Sequence, residues 1–477
     1  MTTTEASAVP ARGDRLLDRR NLPVVVGVVA LVTLAAFENR AVQTILPVVV
    51  RDLDGWALFG ASTGASLVTF TIAAAFSGGW TDRFGPRPVL FGGLAAFAAA
   101  QVVSALAPTM LVFVAGRALS GAAEAIIDTT LMVLVARALP ESLRAKVFAS
   151  FAAAWILPSL VGPGLAGGIE ALAGWRVVFA GPLLVVVPAL LLLRPALRHG
   201  GRTDEGTVAD PGARGRLAAS VLLAAGLAVT TFSAPLLASP GSRPAGLAVV
   251  LAGAVVVVAA AARALPRGTA RLTRGVPAVV GVRLLVSAAF TGVGAVLPLM
   301  LVTTHHVSTA VAGIALTVTG LFWAFGSWVN SIGAVQHRVD AGVRARLGGL
   351  LIAVGSLGPV LLALDLVGLV VGFVGWAAAS TGMGLVTPTL STELLAQAPA
   401  GEQGRASAAN GLASSTGVAL QTALVGAVVA WFGPSMDGPR FALLMAAGAL
   451  TALVVAAGGG RVAAGAGSRA DGGPVVP

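Results

Sequence analysis

The sequence predicts an all-α integral membrane protein built as two six-helix bundles plus two inserted helices, with fourteen transmembrane helices in all. Three observations carry that expectation. First, 56% of the 477 residues are hydrophobic and only 11% are charged, with a mean hydropathy of +0.90, whereas an ordinary soluble domain carries about 25% charge. Second, apolar runs of about 20 residues, long enough to cross a bilayer as a helix, recur from one end of the chain to the other. Third, Lys and Arg sit in the short connections between runs and favour every second connection, as membrane topology demands.

In order, the spans read 23–50, 57–79, 88–107, 109–135, 147–170, 177–194, 216–238, 245–262, 276–302, 309–333, 347–364, 366–390, 406–431 and 441–457. With the N-terminus placed inside, 24 of the 31 Lys and Arg fall in cytoplasmic segments. Four lie in outer loops (Arg51, Arg176, Arg243, Arg440) and three within spans (Arg40, Arg117, Arg283). That asymmetry puts both termini in the cytoplasm and calls for an even number of spans. The organisation read from it is a cytoplasmic N-tail over 1–22, a six-helix bundle over 23–194 and a polar cytoplasmic linker over 195–215. Two inserted helices follow over 216–262, then a cytoplasmic loop over 263–275, a second six-helix bundle over 276–457 and a disordered C-tail over 458–477. Paired bundles of this kind are typical of secondary transporters, whose substrate site lies near the midplane between halves.

Composition also excludes. The net charge of +11 is scattered over loops rather than gathered in a patch, so nucleic acid is not an expected partner. There is no cysteine, hence no disulfide framework, thiolate metal site or thiol nucleophile. The first span is too long for a signal-peptide core and follows Arg12, Arg15, Arg19 and Arg20, so no cleavable leader is expected. Arg outnumbers Lys thirty to one, Lys146 being the only Lys, a bias that fits a GC-rich bacterial genome. The expected location is the bacterial inner membrane. No Ser-His-Asp set, HExxH or phosphate-binding glycine loop is present, so an enzyme is not expected. His305 and His306 have no third ligand nearby in sequence, and no metal site is assigned.

A charge at the centre of a spanning helix costs on the order of 3 kcal/mol and by default marks function. The acids inside spans are Glu38, Glu124 and Asp128. In the fourth span, Arg117, Glu124 and Asp128 are seven and four residues apart. They fall within about 40° on one helix face, in a stripe roughly 16 Å long that also carries Ser120 and Gly121. Two carboxyls this close resist ionising together, so the stripe suits proton binding and release. A polar seam that only joins helices is the competing reading. In the first span, FENR puts Glu38 and Arg40 on nearly opposite faces, so each needs a partner elsewhere. Arg117 is the cation at matching depth for Glu38, either as a structural strut or as part of a proton path. Arg40 either snorkels outward or faces inward. Arg283 faces either lipid headgroups or the cavity.

Five stretches resemble the major facilitator superfamily, and specifically its fourteen-helix drug:proton antiporters of the multidrug efflux type. GGWTDRFGPRPVL is similar to the family's loop G-x-L-A-D-R-x-G-R-K-x-x-L, with Gly78, Asp82, Arg83, Gly85 and Arg87 matching and Trp80, Thr81 and Pro86 departing. RALSGAAEA resembles R-x-x-Q-G, with Arg117 and Gly121 matching and Ser120 in place of Gln. LPSLVGPGLAGGI resembles the antiporter motif G-P-x-x-G-G through Gly162, Pro163, Gly167 and Gly168, and GWRVVF resembles the W-R-W-I-F stretch that follows it. FENRAVQTILP resembles L-D-x-T-V-V-N-V-A-L-P, with Glu38 for Asp, Arg40 for Thr and Gln43 for Asn, Leu46 and Pro47 matching. The likeness is densest in the first 180 residues.

The resemblance implies the major facilitator fold and proton-coupled antiport by alternating access, exporting an apolar or amphipathic drug or secondary metabolite and conferring antibiotic resistance. A lipid or glycolipid exporter and a proton-coupled nutrient symporter are the alternatives. It implies proton coupling through Glu38, Arg117, Glu124, Asp128 and Arg40, and a cytoplasmic gating loop at Gly78–Arg87. The energy source is the proton gradient, with no cofactor; the partners are protons, a small-molecule substrate and the bilayer, and the protein is expected to be monomeric. Substrate-cavity candidates are Gln43, Trp155, Trp323, Asn330 and Gln421. For the tryptophans, interface anchoring is the competing reading; for Asn330 and Gln421 it is interhelical hydrogen bonding.

Overall fold

A computed structural model describes residues 22–138, 141–199, 213–398 and 403–463. Most of the expected tails and of the linker over 195–215 lie outside these residues. The long helices are α1 (Leu22–Asp52), α2 (Phe59–Phe84), α3 (Pro86–Ala105), α4 (Met110–Ala138), α5 (Glu141–Ala173) and α6 (Ala180–His199). A second group is α7 (Ala213–Ser233) and α8 (Arg243–Ala264). A third is α9 (Val276–Gly294), α10 (Thr309–Ser331), α11 (Ala341–Ala363), α12 (Leu369–Gln397), α13 (Gln403–Phe432) and α14 (Gly438–Gly458). By length and composition, twelve candidate membrane spans are found among the described residues. The helices α5 and α7 are not among the twelve; the apolar part of the latter is the short stretch Val221–Leu237.

The first and third groups pack by the same scheme. In the first, α1 lies against α5 and α6, and α4 against α2 and α3. In the third, α9 lies against α13 and α14, and α12 against α10 and α11. The groups meet where α5 crosses α10 and α2 crosses α13. The pair α7–α8 packs on itself and against α2 and α13.

Local sequence explains the ends and the crossings. Asp340 and Asp437 cap their helices by accepting from the backbone N–H of Gly342 (2.7 Å) and Arg440 (3.1 Å). Small residues let backbones touch: a Cβ on Gly121 would sit 2.0 Å from the Ser66 carbonyl oxygen, which fixes the α2–α4 contact. The turn from α2 into α3 rests on Gly85 at φ +82° and ψ 160°, followed by Pro86 at the first turn of α3. That backbone region is open essentially to glycine alone. Gly85→Ala is therefore expected to lower stability by about 1–3 kcal/mol. Arg87→Ala, at an exposed neighbour, should stay within about 0.5 kcal/mol. Thermal unfolding of the purified protein in detergent checks both.

At the end of the bundles where α1 finishes, Trp175 Nε1 and Arg176 Nη1 donate to Asp52 at 2.8 and 3.0 Å, and Trp175 packs edge-on to Phe113 and Phe179. The GWRVVF stretch is thus the clamp that joins α1, α4 and α6 at that end.

Candidate functional site

Glu38 and Arg117 meet. Arg117 Nη1 donates to Glu38 Oε1, and the two residues are 3% and 2% exposed, respectively. Arg117 Nη2 also donates to Ser66 Oγ at 3.3 Å. Glu38 comes from α1, Arg117 from α4 and Ser66 from α2, so the pair ties three helices together. Glu38 Oε2 and Arg117 Nε are buried with no hydrogen-bond partner among the described residues.

Ser120, one turn along α4 from Arg117, joins a second carboxyl to the first. Its Oγ lies 3.2 Å from Glu38 Oε1 and 3.5 Å from Glu124 Oε1. A hydroxyl has one proton to donate. It satisfies both contacts only when one of the two carboxyls carries a proton and donates to the serine oxygen. The Glu38–Ser120–Glu124 arrangement is chemically a site for one shared proton beside a fixed guanidinium.

Glu124 also belongs to the wall of a cavity of about 530 Å³ that lies between the two bundles. From the first bundle come Asn39, Arg40, Gln43 and Glu124; from the second come Arg283, Phe290, Trp323 and Trp376. Phe290 stacks on Trp376 (4.7 Å between centroids) and meets Trp323 edge-on (5.6 Å). Trp376 is held by Nε1 donating to Thr319 Oγ1 at 2.7 Å. Arg40 does not snorkel outward: its Nε donates to Ser159 Oγ at 3.1 Å and its Nη1 to Gln43 Oε1 at 3.4 Å. Gln43 in turn donates to Asn39 at 2.9 Å. The expectation that Glu38 and Arg40 address different partners matches this geometry.

The cavity is closed at the end where α1 finishes. A Cβ on Gly60 would lie 2.5 Å from Gly426 Cα, and one on Gly167 would lie 2.7 Å from Ala310 Cα. Closer to the middle, a Cβ on Gly320 would lie 2.4 Å from Ser159 Cβ, and Thr317 Oγ1 donates to the Leu160 carbonyl at 3.0 Å. Gly167 and Pro163 of the antiporter-like motif thus sit on the α5–α10 crossing, Pro163 against Gly313. Gly162 makes ordinary contact with Phe37 and Arg40, and Gly168 faces open space.

Several expected site residues lie elsewhere. Asn330 does not line the cavity: its Oδ1 accepts from Arg344 Nη1 at 2.8 Å and Thr389 Oγ1 at 3.0 Å, a buried link between α10, α11 and α12. Gln421 does not line it either, being wedged against the backbone of α9 at Gly292. Asn330 thus takes the interhelical hydrogen bonds weighed above, whereas Gln421 sits in a helix crossing with its Nε2 lacking a hydrogen-bond partner among the described residues. Asp128 lies one turn beyond Glu124 and outside the cavity wall. The side chains of Trp155 and Asp82 fall outside the described ones. In the loop expected to gate, Arg83 and Arg87 are exposed, with Arg83 over the Phe84 ring at 5.3 Å. Gly78 has nothing within 4 Å of an added Cβ. Sequence reasoning missed Ser66 and Ser159, single hydroxyls on apolar helices that nothing in the sequence sets apart. It also missed Phe290 and Trp376, whose cavity face emerges only from packing. Among the described residues, no group of three His, Cys, Asp or Glu is placed to hold a metal ion.

Comparison with known proteins places this geometry in a family. The model of the Major Facilitator Superfamily matches residues 28–422. The chain is 30% identical over 228 residues to a Mycobacterium tuberculosis protein named "Probable multidrug-efflux transporter Rv1634", an alignment covering 48% of each chain. It is 28% identical over 185 residues to the multidrug transporter protein MdtP of Bacillus subtilis, covering 39% of this chain and 34% of that one. The match to such curated relatives thus spans about half of their length or less. Among solved structures, an auto-inhibited POT family peptide transporter superposes with a TM-score of 0.63 at 18% identity, covering 92% of this chain and 96% of that one. A bacterial homologue of the human lysosomal transporter Spinster, inward-facing and unoccupied, gives 0.62 at 14% identity, covering 92% and 96%. At these identities the likeness shows the fold.

Proposed function

Because the chain belongs to the Major Facilitator Superfamily, a family of multi-pass membrane transporters of small molecules and not of enzymes, we propose that it is a proton-coupled antiporter exporting an apolar or amphipathic small molecule by alternating access. The observation that carries this reading is the position of Glu124, at once in the wall of the cavity and one hydroxyl away from the buried Glu38–Arg117 pair. A proton taken up there and a solute in the cavity act on the same two bundles.

The proposed cycle follows from charge. With Glu38 ionised, Arg117 is compensated and the bundles rest in the arrangement closed at the far end of α1. When a proton neutralises Glu38, the Arg117 guanidinium loses its counter-charge inside the protein, which is costly unless the surroundings rearrange. That cost biases the equilibrium between the two access states, and a solute that prefers one state biases it the other way. Export is favoured over uptake by two supports: the names of the relatives, and the antiporter-like motif on the α5–α10 crossing that has to open and close. All fourteen long helices are read as spans, with α7–α8 as the inserted pair and both termini in the cytoplasm of a bacterial cell. The coupling set is Glu38, Arg117, Ser120 and Glu124; Asp128 and Arg40 have secondary places in it.

The test uses inverted membrane vesicles energised to an acid interior and a panel of lipophilic dyes of either charge. At least one dye is expected to accumulate in a manner that requires this protein and is lost when nigericin collapses the pH gradient. Accumulation that persists without the gradient, or protein-dependent entry only when the gradient is reversed so that protons also flow inward, would contradict antiport.

A further inference from the structure

The cavity holds more positive charge than the protein itself compensates. On α9, Arg283, Ser287, Phe290 and Gly294 recur at spacings of four, three and four residues, which puts them on one helix face. All four line the cavity. Arg283 Nε and Nη1 are buried there without a hydrogen-bond partner among the described residues. The nearest hydroxyl along that face is occupied, since Ser287 Oγ and Ser414 Oγ are bonded to each other at 2.9 Å.

The rest of the wall does not balance this guanidinium. Its titratable groups are Arg40, Arg283 and Glu124. Among the described residues, Arg40 bonds only to the neutral Ser159 and Gln43, and Glu124 is engaged by Ser120. Among the described residues, neither arginine has an acidic partner within salt-bridge distance. A guanidinium taken out of water without a counter-charge is destabilising. A planar oxyanion would supply two parallel charge-assisted hydrogen bonds. Two α-helical turns along α9, Phe290 and, stacked on it, Trp376 offer an aromatic wall, with the indole fixed by Thr319.

We propose that the cavity selects an amphipathic anion, a flat apolar body bearing a carboxylate, with Arg283 as the anion-binding residue and the Phe290–Trp376 wall receiving the body. This rests on the export reading only for the direction of transport. An anion leaving in exchange for an entering proton moves charge in one sense, so membrane potential and pH gradient would drive export together.

Three probes that share one apolar body test the selectivity: 1-pyrenebutyrate, its alcohol and the corresponding trimethylammonium. Binding to the purified full-length protein in detergent, with no gradient, is read by energy transfer from tryptophan to pyrene. A charge-assisted hydrogen bond is worth about 1.5–3 kcal/mol, so the carboxylate is expected to bind about tenfold tighter or more than either isostere. Arg283→Gln should remove that preference while leaving the alcohol unaffected, and Arg283→Lys should keep most of it. The proposal is overturned if the carboxylate does not bind saturably, if the alcohol or the ammonium binds as tightly in wild type, or if Arg283→Gln keeps the preference. Should Arg283→Gln not fold, the wild-type ranking decides. Intact carboxylate preference without gradient-driven dye accumulation would overturn antiport and leave this inference standing.

Discussion

Glu38→Leu is expected to destabilise the protein by about 3–5 kcal/mol, the cost of stranding one charge of a buried pair, and to abolish coupled transport. Arg117→Met should cost less. The asymmetry is chemical. A carboxyl left without its counter-charge can take up a proton and become neutral, whereas a guanidinium stays charged at every accessible pH. Arg117 is 3% exposed, and among the described residues its remaining hydrogen bond is to the neutral Ser66 hydroxyl. In the double variant Glu38→Leu, Arg117→Met, most of the loss should return, since replacing a buried pair with apolar side chains is often close to neutral. Transport should not return. Thermal unfolding in detergent gives the three stabilities. Equal losses for the two single variants, or a double variant as unstable as Glu38→Leu, would mean that the pair does not stand as a desolvated unit.

The second large effect concerns access. Gly167→Leu places a branched side chain where a Cβ alone would already be 2.7 Å from the Ala310 backbone. Backbone cannot yield as a flexible side-chain tip can, so α5 and α10 must separate at that end. The arrangement closed there should be depopulated, and transport should fall about tenfold or more, which needs only about 1.4 kcal/mol of bias. The bundles themselves are left intact, so unfolding should shift little. The chain has no cysteine, so Thr63→Cys, on the cavity wall, supplies a sole thiol. A membrane-impermeant maleimide added from the side at which α1 finishes should label it about tenfold faster in Gly167→Leu. An unchanged labelling rate would remove the α5–α10 crossing from the gate.

Much of this architecture was legible because bilayer physics leaves few choices. Length and apolarity located the helices. Arg117, Ser120 and Glu124 were legible as one stripe because helical spacing places them on one face regardless of tertiary context. Their junction with Glu38 was legible by depth, because Arg117 is the cation at matching depth while Arg40 faces the other side of its own helix. The cavity wall was harder to read. Asn330 and Gln421 are polar residues on apolar helices, which points equally to a solute or to a neighbouring helix, and packing decided for the helix. Phe290 and Trp376 are ordinary core residues in sequence; what makes them a wall is the gap opposite. Arg344, buried at 8% exposure, drew no notice because it stands near a helix start, where an arginine normally reaches water.

The most direct test of the central claim follows the proton itself. In inverted vesicles with an acid interior, a compound that the wild-type protein accumulates is added, and the collapse of the pH gradient is recorded for wild type, Glu38→Gln and Glu124→Gln. These glutamines keep the shape and can still accept from Arg117 or Ser120, so the protein is expected to assemble. Compound-triggered proton efflux in wild type that is lost in both variants is the predicted result. Efflux in either variant at the wild-type rate would contradict the claim that one proton is shared through Ser120.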